Sequence, residues 1–403
     1  MDKPDSILAP ANLRAITRYS RRPDLPVSLA AMPFDSLDPS RYAPQLAEKK
    51  AVFRALFAAP FTDSSFPEPS VFPSAPTHYR LRAEFRAWQH DGAWDYAMFD
   101  PKNPRQPVLL TDFPVADAAI CALMPRLRAA TLRLPELCRR LYGIEFLATL
   151  QGDMLVTLIY RRPLAAPWEE AARQLADELG IALIGRSRGQ KIVLQRDWVE
   201  ESLQVDGESL RYRQYEGAFS QPNGGVNRHM LGWARQQAAG LGGESGNDLL
   251  ELYCGNGNFT VALAPLFDKV LATEMSKVSV AAAEHNLAQN QRGNVAIARL
   301  ASEEISAALQ GVREFRRLRE IDLASYRFST LFVDPPRSGL DPATLALAAG
   351  FDNILYISCN PHSLRDNVAA LAGSHRIAAS ALFDQFPYTA HLECGLLLKK
   401  NPA

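Results

Sequence analysis

The residue types most able to do chemistry lie near the C-terminus. Leu355-Tyr356-Ile357-Ser358-Cys359-Asn360-Pro361 sets a single cysteine at the end of an apolar, strand-like run, with a proline fit to open the next helix. The C-terminal end of a strand is where a parallel α/β sheet exposes reactive groups. Further on, Phe386 to Gly395 carries a carboxylate, Glu393, beside more strand-forming sequence. A thiol and a carboxylate suit nucleophilic attack followed by proton removal. Taken singly, each has a plainer reading as a buried structural cysteine or a solvated glutamate.

The sequence between residues 219 and 337 shifts that balance. Asp248 to Cys254 reads as a buried strand, and Gly255-Asn256-Gly257-Asn258-Phe259-Thr260 turns from it into an amphipathic helix. Glycines there let the backbone approach a ligand closely. The next apolar run, Lys269 to Thr273, ends in Glu274, about the twenty-residue spacing at which an acidic side chain meets a ribose diol. Strand, turn, helix, strand and acid in register make a nucleoside-cofactor half-fold. Thr260 stands where the dinucleotide fingerprint has its third glycine, which argues against NAD and favours S-adenosylmethionine.

A further buried strand, Thr330-Leu331-Phe332-Val333, delivers Asp334-Pro335-Pro336-Arg337 to its C-terminal end. Two prolines make a rigid, extended turn without spare N–H groups, so Asp334 is held in the crevice where it can accept hydrogen bonds from a base edge or a cofactor amine. A plain surface turn is the alternative. In methyltransferases acting on exocyclic amines a comparable Pro-Pro turn is usually followed by an aromatic residue. Arg337 occupies that place here, and with Cys359 and Glu393 it favours methylation at carbon.

Together these stretches closely resemble the tRNA uracil-5 methyltransferase family, TrmA type. The matching pieces are His78 to Arg86, Phe219 to Asn223, Leu250 to Phe259, Phe332 to Leu340, Tyr356 to Pro361 and Phe383 to Gly395, and the resemblance covers roughly residues 41 to 400. It implies that Gln221, Tyr253, Asn258, Glu274 and Asp334 line the S-adenosylmethionine site, that Cys359 is the nucleophile and that Glu393 is the base. None of these positions departs from the family pattern; the first forty residues are an extension it does not require. The implied reaction converts uridine 54 in the T loop of tRNA to 5-methyluridine. The alternatives are uracil-5 methylation of rRNA or tmRNA, or an RNA-folding or RNA-binding module with vestigial catalysis.

The pair answers a chemical need. C5 of uracil is a poor nucleophile until a thiolate adds to C6 and makes C5 enolate-like; a base must later take the C5 proton so that the cysteine can leave. A free thiol has a pKa near ~8.5, so positive charge or helix-terminal N–H groups are expected to stabilise the thiolate, with Asn360-Pro361 placed to do so. Glu393 is expected to act in a dry pocket with a pKa matched to neutral pH.

Composition sets outer bounds. The 403 residues, 47% hydrophobic and 22% charged, suit an ordinary protein of two or three domains. Cys121, Cys138, Cys254, Cys359 and Cys394 lack the clustered spacing of zinc or iron–sulfur ligation, so no metal is expected, and their odd number suits a reducing cytoplasm. This separates the chain from related rRNA methyltransferases that carry an N-terminal four-cysteine cluster and an OB-like domain. No stretch has the length of a membrane span or a signal core. A cytoplasmic monomer is the expectation.

Net charge is awkward for an RNA binder, since 44 basic residues meet 44 acidic ones. Local patterning is more informative. Strand alternation puts Tyr79, Leu81, Ala83, Phe85 and Ala87 on one face and Arg80, Arg82, Glu84 and Arg86 on the other. The charged face can meet phosphates. A second basic cluster from Arg126 to Arg140 lies close to Tyr142, whose ring can stack on a base, although a solvated helix face with a core tyrosine is an equal reading. Arg80, Arg82, Arg86, Tyr142 and Arg337 are the candidate RNA contacts, with the T arm of tRNA as the expected partner and other RNAs with T-arm-like loops as further ones.

The organisation follows: residues 1–40 form an extension, 41–215 a mixed α+β RNA-binding domain and 216–403 a methyltransferase domain. Phe61 to Pro76 reads as a long surface loop. Apolar runs at 144–150, 154–160, 181–184 and 191–194 belong to the first domain. From 216 onward, helices are predicted over 224–239, 258–266, 276–290, 302–310 and 361–372, and strands over 248–253, 269–274, 294–299, 329–333, 353–358, 376–383 and 393–398. This alternation predicts an α/β fold with a Rossmann-like doubly wound sheet, and the resemblance to class I S-adenosylmethionine-dependent methyltransferases implies an antiparallel strand near its end.

Overall fold

The computed structural model describes residues 37–58, 66–100, 103–242 and 246–402. The expected extension therefore lies almost wholly outside the described residues. Chain order begins with helix α1 (Tyr42–Ala58) and a short strand β1 (Ser70–Phe72). A mixed segment follows: β2 (Arg82–His90), β3 (Ala93–Asp100), β4 (Asn103–Leu110), α2 (Ala118–Leu132), α3 (Pro135–Cys138), β5 (Leu141–Ala148), β6 (Met154–Tyr160), α4 (Ala166–Leu179), β7 (Ala182–Ser187) and β8 (Gln190–Val193). A hairpin, β9 (Trp198–Val205) and β10 (Glu208–Tyr215), leads to α5 (Gly224–Ala238). The alternating half comprises β11 (Asp248–Leu252), α6 (Asn258–Leu263), β12 (Val270–Thr273), α7 (Lys277–Gln289), β13 (Val295–Ala298), α8 (Ser302–Leu309), β14 (Phe328–Val333), α9 (Pro342–Ala348), β15 (Asn353–Ser358), α10 (Pro361–Leu371), β16 (His375–Phe383) and β17 (Glu393–Lys400).

Among the described residues the C-terminal half builds an eight-stranded sheet in the order β1-β16-β17-β15-β14-β11-β12-β13. The order reverses at β11, where β12 lies on one side and β14 on the other, and a ligand crevice opens at such a switch point. Strand residues alternate between two cores: Leu249, Phe332, Leu355 and Ile357 face the cluster with α5 and α6, whereas Leu250, Leu331, Ile354 and Tyr356 face the other side. A sheet buried on both faces needs apolar residues at every position, which is why β11 and β15 read as continuous runs. β17 is antiparallel to both β15 and β16, as the resemblance implied.

The first half forms a seven-stranded sheet, β4-β3-β2-β5-β6-β7-β8, in which only β6 and β7 pair in parallel. Its core collects Leu81, Ala83, Phe85 and Ala87 with Ile120, Leu127 and Trp168 of the covering helices, so the alternation expected around β2 is observed. The other sheet face carries the arginines.

Two expectations are corrected. Phe61 to Pro76 is not loop throughout, because Ser70–Phe72 adds a strand parallel to Ala381–Phe383 of β16. Three residues are too few to display a strand period among flanking prolines. Nor does the first domain run unbroken from residue 41: Phe53 and Phe57 of α1 are buried in the same core as Leu250, Leu331 and Tyr356 of the large sheet. The β9–β10 hairpin likewise packs on that half, burying Leu203, Leu210 and Tyr212 against Met230 and Trp233 of α5. Its backbone is held by Asn286 and Asn290, whose side-chain carbonyls accept from Arg213 and Arg211 N–H at 2.7 and 2.9 Å. No helix among the described residues is long and apolar enough to cross a membrane.

Candidate active site

β15 and β17 pair with Ile357 opposite Gly395 and Ser358 opposite Cys394. The paired register stops there: Cys359 follows the last residue of β15 and Glu393 is the first residue of β17, so both lie at the same end of the two strands, and the charge of Glu393 is felt at Cys359. Asn360 caps α10, accepting from the His362 N–H at 3.2 Å, with Pro361 at the first helical position. The Asn360 amide also donates to the Arg337 carbonyl at 2.7 Å, tying the strand end at Cys359 to the Asp334–Arg337 turn.

The electrostatics are those of crowded acids. Burial pushes the Cys359 thiol up to about 12, the Glu393 and Asp334 carboxylates add to the rise, and Arg337 opposes it. Glu393 is buried, and its carboxyl is held well above the usual range by that burial and then by Asp334, with Arg337 again opposing. Asp334 is only partly covered, yet desolvation raises it to about 7. The expected stabilised thiolate is therefore not what this arrangement provides at rest. Two carboxylates beside the sulfur outweigh the helix start and the guanidinium.

On the far side of the Asp334–Arg337 turn lies a cavity of about 350 Å³, bounded by Tyr253, Glu274, Met275, Ser302 and the stretch from Ser338 to Asp341. Gly339 has φ +78, and a Cβ there would come within 2.5 Å of the Asn367 side-chain oxygen that accepts from Leu340 N–H, so the close return of the chain requires glycine. Glu274 leaves β12 at the cavity wall; its two oxygens accept from the Gly255 N–H at 3.1 Å and the Ser276 N–H at 2.7 Å. Each oxygen keeps a lone pair for a ligand hydroxyl. Tyr253, with φ +61, turns its hydroxyl to Ser302 at 2.7 Å and presents its ring to the cavity. Glu303 and Asp341 add two further carboxylates to the lining, and Tyr253 is its one aromatic residue; a nucleoside fits such a concave space with polar groups beside an aromatic side chain.

Not every expected residue converges there. Tyr253 and Glu274 line the cavity; Asp334 does not, and its charge is felt at Cys359. Asn258 instead exchanges two amide hydrogen bonds with Asn227 of α5, at 2.9 and 3.0 Å. Gln221 is outside the cavity wall, in the segment whose Pro222 carbonyl accepts from Leu81 N–H at 2.7 Å. Sequence reasoning also passed over Glu251, fully enclosed in β11, whose carboxyl burial pushes up to about 8.

The candidate RNA residues divide in two. Arg82 donates to the Ala218 carbonyl at 2.5 Å and to Ser220 Oγ at 3.2 Å, and Arg80 donates to the Arg82 carbonyl at 2.9 Å. Both share the expected face, but the Arg82 guanidinium braces the segment that links the two sheets, and that of Arg80 is turned onto the neighbouring backbone. Arg86 lies 3.4 Å over the centre of the Tyr142 ring and Arg161 lies 3.9 Å from it. Two guanidiniums so close to one ring must take opposite faces, so Tyr142 is stacked between cations and is not open to a base. Arg161 was missed; its only signal is the Arg161-Arg162 pair after β6.

A sequence profile of the family described as tRNA (Uracil-5-)-methyltransferase matches residues 41–401. The chain belongs to this family. It is an S-adenosylmethionine-dependent methyltransferase of α/β fold. Among similar proteins are the tRNA/tmRNA (uracil-C(5))-methyltransferases of Aromatoleum aromaticum, 63% identical over 92% of this chain and 98% of that protein, and of Azoarcus sp. BH72, 62% identical over 92% and 100%. Among solved structures, the Pyrococcus abyssi tRNA (uracil-54, C5)-methyltransferase in complex with S-adenosyl-L-homocysteine superposes with a TM-score of 0.65 at 19% identity, covering 89% of this chain and 83% of that one. That likeness shows the shared fold.

Proposed function

We propose that the enzyme converts uridine 54 of the tRNA T loop to 5-methyluridine, with Cys359 as nucleophile and Glu393 as base. The observation that carries the reading is the pairing of Ser358 with Cys394, which leaves Cys359 and Glu393 as the next residues at the same end of β15 and β17. Tyr253 and Glu274 would hold the nucleoside part of S-adenosylmethionine, and Asp334, Gln221 and Asn258, which lie off the cavity wall, are read as bearing on the rest of the cofactor; when bound, it supplies an electrophilic methyl group. Cys359 forms an S–C6 bond to uracil, and the electron pair of the C5–C6 double bond moves to C5 and its neighbouring carbonyl. Once C5 carries the methyl group, Glu393 takes the remaining C5 proton. The C5–C6 double bond closes and the sulfur leaves with its electron pair, restoring the thiolate.

The acidic surroundings fit this order. Glu393 must lose its proton before it can act, and Cys359 must be ionised; Arg337 is the cation near both. Arg86 and Arg161, held by Tyr142, are read as phosphate contacts for the T arm. The relatives at 62–63% identity are named for tRNA and tmRNA, which favours tmRNA as a second substrate over rRNA. Incubation with separate tRNA, tmRNA and rRNA transcripts, followed by mapping of 5-methyluridine, tests the assignment. Modification confined to rRNA would overturn it.

A further inference from the structure

β16 ends at Phe383 and β17 begins at Glu393, so the whole connection Asp384–Leu392 exists to return the chain to the base. Its polar groups are gripped from outside. Lys49 of α1 forms an ion pair with Asp384 at 2.6 Å, both side chains at most 1% exposed, and its ammonium also donates to the Phe386 carbonyl at 2.8 Å. One turn earlier on the same helix, Gln45 accepts from Tyr388 N–H at 3.1 Å and donates to the Thr389 carbonyl at 3.3 Å. Residues four apart share a helix face, so a single face of α1 holds the start and the middle of the connection.

Other parts of the molecule add to the grip. The Tyr388 hydroxyl donates to the Pro76 carbonyl at 2.8 Å, Tyr79 donates to the Pro387 carbonyl at 3.3 Å, and Gln385 accepts from Asn223 N–H at 3.1 Å. Lys49 also bears on the active site through its charge. Burial, then Arg337, Lys49 and Arg80, bring His391, two residues before the base, down to about 4. A buried ion pair contributes little net stability compared with apolar residues of the same volume, but it demands one geometry.

We propose that Lys49, through its ion pair with Asp384, is a positioning residue that sets the Asp384–Leu392 connection and so aims the Glu393 carboxylate at the C5 proton. The proposal rests on the reading of Glu393 as base. It makes α1, outside the methyltransferase domain expected from the sequence, part of the catalytic apparatus.

Replacing both partners separates aim from stability. The full-length Lys49→Met/Asp384→Leu variant, wild type and Glu393→Gln are compared on a tRNA transcript for melting temperature, S-adenosylmethionine affinity, kcat, KM and RNA–protein adduct on denaturing gels. The double variant should melt close to wild type and bind cofactor normally. Its kcat should fall by about tenfold to a hundredfold at unchanged KM, the scale of an ångström-sized misplacement, and methylated adduct should accumulate. Wild-type turnover without adduct overturns the proposal. A fall in kcat without adduct also overturns it, because the defect then precedes proton removal. Should the double variant fail to fold, Gln45→Ala, at a half-buried position, decides: slowed turnover with adduct supports positioning, and normal turnover refutes it. Normal turnover by Glu393→Gln identifies failure of the base assignment itself, whatever Lys49 does.

Discussion

Cys359 stands among groups that oppose its ionisation, since burial and the carboxylates of Glu393 and Asp334 hold its proton in place. Protonating either acid removes one of those negative charges, so the three groups titrate as a set. On the proposed mechanism activity needs ionised Cys359 and ionised Glu393, both raised, and should therefore climb with pH from neutrality upward. Asp334→Asn removes a charge that raises both neighbours, and at saturating cofactor its single-turnover rate profile should move to lower pH. An unmoved profile would separate Asp334 from the titrating set. Cys359→Ala should abolish methyl transfer while S-adenosylmethionine binding, measured by calorimetry, stays nearly unchanged. Methylation by purified Cys359→Ala would remove the nucleophile assignment. Cys359 and Glu393 were legible because each sits at a strand end that its own sequence marks. Lys49, Arg161 and the bracing role of Arg82 were not, since each depends on a partner elsewhere in the chain.

At the level of elements, strands and helices from Gly224 onward were legible from alternation, as with β15, predicted and found over 353–358, except α9, which was not predicted. β1 and α1 escaped notice for physical reasons. β1 is too short for a period, and the apolar side chains of α1 that enter the core, Val52, Phe53, Leu56 and Phe57, crowd into its second half and form no continuous stripe. α9, seven residues long, is opened by its Asp341 cap, which accepts from the Ala343 and Thr344 N–H groups at 2.9 and 3.0 Å. β11 holds a less expected feature. Its Glu251 is enclosed, one carboxyl oxygen has no hydrogen-bond partner, and burial above all keeps its proton on to about pH 8, against an ordinary value of 4.5. The unfolded chain releases that proton at lower pH, so the stability Glu251 allows is fully present below about 4.5 and is lost as pH rises through about 8. Glu251→Gln cannot ionise. Its melting temperature relative to wild type should rise steadily across that window, and a constant difference would show that Glu251 is already ionised in the native protein.

For the molecule as a whole, 44 positive and 44 negative side chains leave no general attraction for RNA, so binding must come from a few placed cations. Arg86 on β2 and Arg161 just past β6, the two strands that flank β5, are held at opposite faces of the Tyr142 ring, which fixes two charges that would otherwise lose side-chain entropy on meeting a phosphate. Their proximity has an energetic sign of its own: burial and then Arg161 bring the Arg86 guanidinium down to about 10, a repulsion that a bridging phosphate relieves. Each lost phosphate contact lowers the slope of log affinity against log salt by about one unit, so Arg86→Ala and Arg161→Ala should each weaken tRNA binding and flatten that slope by about this amount. Tyr142→Ala keeps both charges but releases them. It should weaken binding at every salt concentration while leaving the slope close to wild type. Identical slopes for all three variants and the parent would make the stacked trio a structural brace of the sheet, and the phosphate contacts would have to be sought elsewhere on its arginine-bearing face.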